Sequence, residues 1–247
     1  VLQRGRLAGK EGARKVNAWV KAQTDGRIPV LIDTLPDDTR FVLASALFFK
    51  APWAKPFDAK YTQSQPFEGS KDVMMMLGLD VRATHSQQAG ADWLGLPFKG
   101  DRYQLKLALP QGELHGWLAG LSAEQWQQGL SDQRFSKGTL RLPRFKLDGR
   151  LDATDLLRKT GFSHTFGASP DLSGISPEKL QLSQVLQRVT FSIDETGGEA
   201  AAATVITALR SIAVQPSFNL TFNKPFVAVL WDTETQSALV TAVVRQP

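Results

Sequence analysis

Asp194-Glu195-Thr196-Gly197-Gly198-Glu199-Ala200-Ala201-Ala202-Ala203-Thr204 is the stretch whose reading decides the fold. Four alanines favour a helix, and the glycines before them favour a flexible linker. Against the helix, Thr204, Val205, Ile206 and Thr207 follow at once, and β-branched residues prefer extended backbone. Against the linker, the small side chains run on longer than flexibility needs, with no serine, glycine or proline among them. The composition suits a segment able to change between a loop and a strand.

On either side of it the chain is rich in strand signals. Leu182, Val185, Val189, Phe191 and Ile193 recur at odd positions within Leu180 to Ile193, as in a strand with one polar face. Phe226 to Trp231 and Ala238 to Val244 are apolar runs joined by the polar connection Asp232 to Gln236, a hairpin. Further upstream, Leu94 to Phe98 and Tyr103 to Leu109 flank Lys99-Gly100-Asp101-Arg102 and read as a second hairpin. Leu140 to Leu147 reads as a strand carrying Pro143, and Leu151 to Lys159 as a helix ended by Gly161. Leu114 to Leu130 has helical spacing, with Ser122 placed to cap a second short helix. The nearly continuous apolar run Phe41 to Phe49 suits a strand buried on both faces. Val16, Trp19 and Val20 form the stripe of an amphipathic helix stopped at Thr24-Asp25-Gly26.

At 247 residues, 42% hydrophobic and 21% charged, the chain can bury a large core, which argues against disorder and a coiled-coil rod. One large domain, or at most two, is expected, and no linker or internal repeat divides it. No run reaches the ~18 apolar residues of a membrane span, and Val1 to Gly12 lacks the apolar core of a signal peptide. Cysteine is absent, so there are no disulfides, thiolate metal sites or cysteine nucleophiles. The net charge is +5, with Arg4, Arg6, Lys10, Arg14, Lys15 and Lys21 set against Glu11. These lack the aromatic interleaving of a nucleic-acid stripe and read as a solvated helix face, so neither nucleic acid nor membrane is expected as a partner.

Enzyme chemistry finds no foothold. His85, His115 and His164 are dispersed, without the spacing of metal ligands, and no metal or cofactor is expected. There is no Gly-x-Ser-x-Gly elbow to support a serine hydrolase, no phosphate loop, and no glycine fingerprint. The acid pairs Asp37-Asp38 and Asp194-Glu195 read as solvated turns.

The quoted stretch resembles the hinge of the serpins, in which acidic residues, a glycine and a run of alanines precede a reactive loop. Other motifs resemble the family in order. Phe48-Phe49-Lys50-Ala51-Pro52-Trp53-Ala54-Lys55-Pro56-Phe57 is similar to its Tyr-Phe-Lys-Gly-x-Trp-x-x-Pro-Phe segment, and Phe222-Asn223-Lys224-Pro225-Phe226 to the strand start after the loop. Asn17-Ala18-Trp19-Val20 with Thr24 to Ile28 is similar to the helix lying across the main sheet. Leu96 to Gly100, Leu142 to Phe145 and Asp171 to Ile175 match further signatures.

The resemblance implies an α+β fold of several mostly antiparallel sheets with flanking helices. It makes 1–247 a single domain equal to the C-terminal two thirds of the family fold, with 196–219 as exposed reactive loop. The front helices and part of the main sheet would lie before the Trp19 helix, so the strands present here would expose an edge and an apolar face. The implied function is suicide inhibition of a serine protease by a monomer outside the cell or in the periplasm. The protease cleaves the loop, which inserts as a strand into the main sheet and carries the acyl-enzyme away distorted. The hinge is Glu195, Gly197, Gly198, Glu199, Ala200, Ala201, Ala202, Ala203 and Thr204. Its inward set, Gly198, Ala200, Ala202, Thr204, Ile206 and Ala208, is uncharged and mostly small, as insertion between two strands requires. Hinge length puts the scissile bond at Ser211-Ile212; chemistry favours Arg210-Ser211, since arginine fits the acidic pocket of trypsin-like proteases. Ser45 and Gln187 replace the family's asparagine and histidine at the centre of the sheet, Ala51 replaces a glycine, and Gly198 a serine or threonine. The missing front and the altered sheet centre leave a non-inhibitory binding or structural role, or an inactive truncated form, as the other reading.

Overall fold

Local signals place most elements. In the computed structural model, which describes residues 7–69, 71–167, 170–177, 180–198 and 217–247, they are, in chain order, α1 (Gly9–Gln23), β1 (Phe41–Phe48), β2 (Gln63–Gln65), β3 (Val73–Gln88), β4 (Ala91–Pro97), β5 (Tyr103–Pro110), α2 (Leu114–Gly120), α3 (Ala123–Ser131), β6 (Arg134–Pro143), β7 (Phe145–Asp152), α4 (Thr154–Leu157), β8 (Leu182–Ile193), β9 (Phe218–Thr221), β10 (Phe226–Asp232) and β11 (Ser237–Val244). The fold class is α+β, as the resemblance implies. Two compact units interleave along the chain, one formed by residues up to Phe49 with Leu147–Thr190, the other by Lys50–Lys146 with Phe191–Pro247.

In the first unit, α1 ends where expected. Thr24 Oγ1 donates to Val20 O at 2.8 Å and accepts from Ile28 N at 3.1 Å, and Asp25 and Gly26 take positive φ. Asn17, in the middle of the helix, holds the returning chain: its amide donates to Ile32 O and accepts from Leu31 N and Ile32 N. Ala13, Val20, Ile28, Leu31 and Leu35 then pack with Val42, Ala44 and Ala46 of β1 and Leu186 of β8. The sheet order is β1-β8-β7, with β1 parallel to β8.

Three expectations need correction here. β1 is not buried on both faces: it is an edge strand of this sheet, its even-numbered residues lie against the α1 core, and Leu43 on the other face is 50% exposed. The apolar run showed a strand but not how many layers cover it. The strand expected over Leu140 to Leu147 breaks at Arg144 into β6 and β7, which belong to different sheets. The helix expected over Leu151 to Lys159 is the single turn α4, followed by a wider turn in which Gly161 takes φ +95°.

The second unit is built on one large sheet, in the order β11-β10-β5-β4-β3-β6-β9, with β2 beside β3. The two hairpins form as read, β4 with β5 and β10 with β11. Ser122 caps α3 reciprocally with Gln125. β3, the longest strand, carried no signal in the sequence. A bulge between Gly78 and Val81, with Asp80 at φ +52°, breaks its alternation midway.

One face of β4, β5 and β10 lies under α2 and α3. Ala91, Trp93, Ala108, Val227, Val229 and Trp231 form its core, with Trp117 and Trp126 against Trp93. Gly129 of α3 leaves the room that the Trp93 ring fills. Lys106 is buried on this face, donates to Leu130 O in the last turn of α3, and lies 5.1 Å from the Trp231 ring centroid.

Candidate functional site

β8 ends at Ile193 and the chain turns at once. The Asp194 carboxylate accepts from Thr196 N at 2.8 Å, Thr196 Oγ1 at 2.7 Å and Gly197 N at 3.2 Å, a turn closed on its own backbone. Gly197 takes φ +123°, and a side chain there would collide with Ala51 O and Trp53 N, so this position admits only glycine. The backbone next docks on the 51–57 segment: Trp53 N donates to Thr196 O, Gly198 N to Ala51 O, and Phe57 N to Glu195 O, at 2.7–2.9 Å. The segment that receives it is held by Trp53, which stacks on Phe98 at 4.5 Å between centroids and donates from Nε1 to Asp194 O at 2.9 Å.

Glu195 is the charged member of this arrangement. It is 6% exposed, and Arg144 grips its carboxylate from Nε at 2.9 and 3.0 Å and from Nη2 at 2.6 Å, while Thr62 Oγ1 also donates to it. Burial pushes the Glu195 carboxyl up, but Arg144, Thr62 and its own backbone N–H outweigh this and hold it below the ordinary value of 4.5. The expectation of a solvated turn is thus correct for Asp37-Asp38, which is exposed, and wrong for Glu195. Nothing near Glu195 in sequence announced Arg144, 51 positions away, or Thr62, 133 away. Arg144 figured in the sequence only as part of a family signature.

Of the residues expected to form a hinge, Glu195, Gly197 and Gly198 are therefore brought together with Trp53, Arg144 and Thr62. Glu199, Ala200, Ala201, Ala202, Ala203 and Thr204, and the reactive-bond candidates Arg210, Ser211 and Ile212, lie outside the described residues.

Ser45 and Gln187 are partners in the β1–β8 ladder, directly opposite one another. Both point to the face away from α1, and their side chains make no hydrogen bond among the described residues. The ladder is continuous from Val42–Gln184 to Phe48–Thr190, with no strand between β1 and β8.

The histidines stay apart. His85 Nε2 lies 3.0 Å from Asp92 Oδ1, and no group of three metal-ligating side chains occurs among the described residues. No helix of the described residues is long and apolar enough to cross a membrane.

Comparison with known proteins places this arrangement in a wider setting. The family model described as Serpin (serine protease inhibitor) matches residues 7–247. Alpha-1-antitrypsin of Sus scrofa is 33% identical over 96% of this chain and 57% of its own length, and an uncharacterized serpin-like protein of Thermococcus kodakarensis is 30% identical over 96% and 57%. Among solved structures, Serpin48 of the insect Tenebrio molitor superposes with a TM-score of 0.80 at 30% identity, covering 95% of this chain and 64% of that one. Human glycosylated kallistatin gives 0.81 at 28% identity, covering 99% and 66%. The chain spans somewhat under two thirds of the length of these relatives.

Proposed function

This chain belongs to the serpin family, and from that premise we propose that the protein inhibits a serine protease as a suicide substrate. The reading takes 1–247 as part of one serpin domain and 196–219 as the reactive loop, with attack at or beside Arg210-Ser211 by a trypsin-like enzyme outside the cell or in the periplasm. The protein acts as a monomer and needs no cofactor. Most of the family are inhibitors rather than enzymes, and the hinge composition agrees with that role.

The observation that carries the reading is the β1–β8 pair. Two parallel strands are bonded directly to each other, and one of them runs on into the hinge. A cleaved loop led by Gly198 and the alanines is the right material to separate them, since its alternate side chains are small enough to turn into a packed interior. Arg210 supplies the cation that a trypsin-like specificity pocket takes.

Incubating the full protein with trypsin tests this. A covalent complex that survives denaturing electrophoresis is expected, and Ala200→Arg is expected to convert inhibitor into substrate by slowing insertion relative to deacylation. Cleavage without a complex overturns the proposal and favours the non-inhibitory reading, which is motivated by the altered Ser45 and Gln187 positions at the sheet centre, whose side chains make no hydrogen bond among the described residues.

A further inference from the structure

The outer face of the β3–β6–β9 region is basic, although the reverse face of the same strands is apolar and buried. Arg82 of β3 stands in register with Lys137 of β6, Arg141 pairs with Thr221, and Thr139 with Asn219 of β9. Strand alternation puts these residues on one side. Burial agrees, because the alternate residues Leu140, Phe218 and Leu220 are inside. Phe135, two residues before Lys137 and opposite Thr84, is 70% exposed on the same side. The guanidiniums of Arg82 and Arg141 have no hydrogen bond or ion pair among the described residues. The acid of this stretch is Asp80, at the bulge, where the carbonyls of Leu79 and Asp80 accept from Lys55 Nζ at 3.3 and 3.2 Å.

Arginine beside an exposed aromatic is the composition of a binding hot spot. The charge calls for an acidic partner, and the connectivity says which one. Ser217 is bonded through N and Oγ to Lys137 O at 2.7 and 3.1 Å, and β9 begins at the next residue. A body gripping the chain between 198 and 217 is therefore tethered beside Lys137. We propose that this face is an accessory docking surface for an acidic patch on the protease that attacks the reactive loop, a proposal that rests on the inhibitor reading.

Anionic and cationic trypsins share the same primary specificity and differ in surface charge, so they serve as the probes. The rate of loop attack, summed over covalent complex and cleaved product, reads docking whether or not trapping follows; absence of the complex alone counts against the inhibitor reading and not against this one. At low salt the anionic enzyme is expected to attack about tenfold faster. High salt should close the difference, and so should the double variant Arg82→Glu with Lys137→Glu. Arg82→Gln with Arg141→Gln, which introduces no new charge, should narrow it, and Phe135→Ala should slow attack by the anionic enzyme. Equal rates for the two enzymes, or a difference that survives these substitutions at an unchanged melting temperature, overturn the proposal. So does a result in which the variants lose only binding to a sulfated polysaccharide, which would make the polysaccharide the occupant.

Discussion

Glu195 shows what one buried carboxylate does at a turn. Its partner Arg144 is 42% exposed, so the pair is worth less than the ~3–5 kcal/mol lost on breaking a fully buried one; solvent screening brings the expected cost of Arg144→Ala to about 2 kcal/mol. The folded carboxyl titrates below 4.5, so the unfolded chain takes up protons first as pH falls. Its contribution is complete above the unfolded value and disappears as pH drops through the folded one. Denaturant melts should therefore show the wild type losing stability on acidification below about 4.5 more steeply than Glu195→Gln; parallel curves would remove the pair from the account. This residue was legible in sequence as one acid of the pair Asp194-Glu195 and, through the resemblance, as a hinge position. Its burial comes from a contact across the chain, and charge pairing at such a distance leaves no local trace.

At the scale of elements, what the sequence displayed was what local chemistry settles. The hairpins, the α1 stop and the Ser122 cap depend on residues a few positions apart, and each stands as read. What escaped it depends on neighbours: β3, whose alternation the bulge interrupts, and the second uncovered face of β1. Lys106 belongs to this scale because it ties sheet to helix, its ammonium meeting the carbonyl end of α3, where a cation is favoured. Burial lowers its pKa from 10.5 to about 8. Between those values the unfolded chain holds a proton that the folded chain lacks, so the stability of the wild type should rise with pH from about 8 to 10.5. Lys106→Met should lose this slope. Melting temperatures of the two proteins across that range decide the matter, and identical trends would exclude a titrating Lys106.

At the scale of the molecule, membership of the family rests on many short motifs in the right order, each of them weak alone, and the match over residues 7–247 agrees with that order. The sheet centre was legible as a pair of positions, and Ser45 does face Gln187, although no bond joins their side chains. Cleaving the loop supplies the global test. If the freed strand parts β1 from β8 and bonds to both, the sheet gains a strand and the cleaved protein should melt well above the intact one. An unchanged melting temperature would indicate a loop that is cut and stays outside. The ladder has a further consequence, for the order of events. Its rung nearest in sequence to the hinge is Phe48–Thr190 and its far end is Phe41–Leu182. If insertion follows cleavage as proposed, a strand fed from the hinge would unzip it from the first toward the second, each broken rung being replaced before the next opens. The barrier would then be the height of one rung rather than of the whole ladder, and a brief loss of amide protection, restored behind it, should travel along β1 and reach Phe48 before Val42.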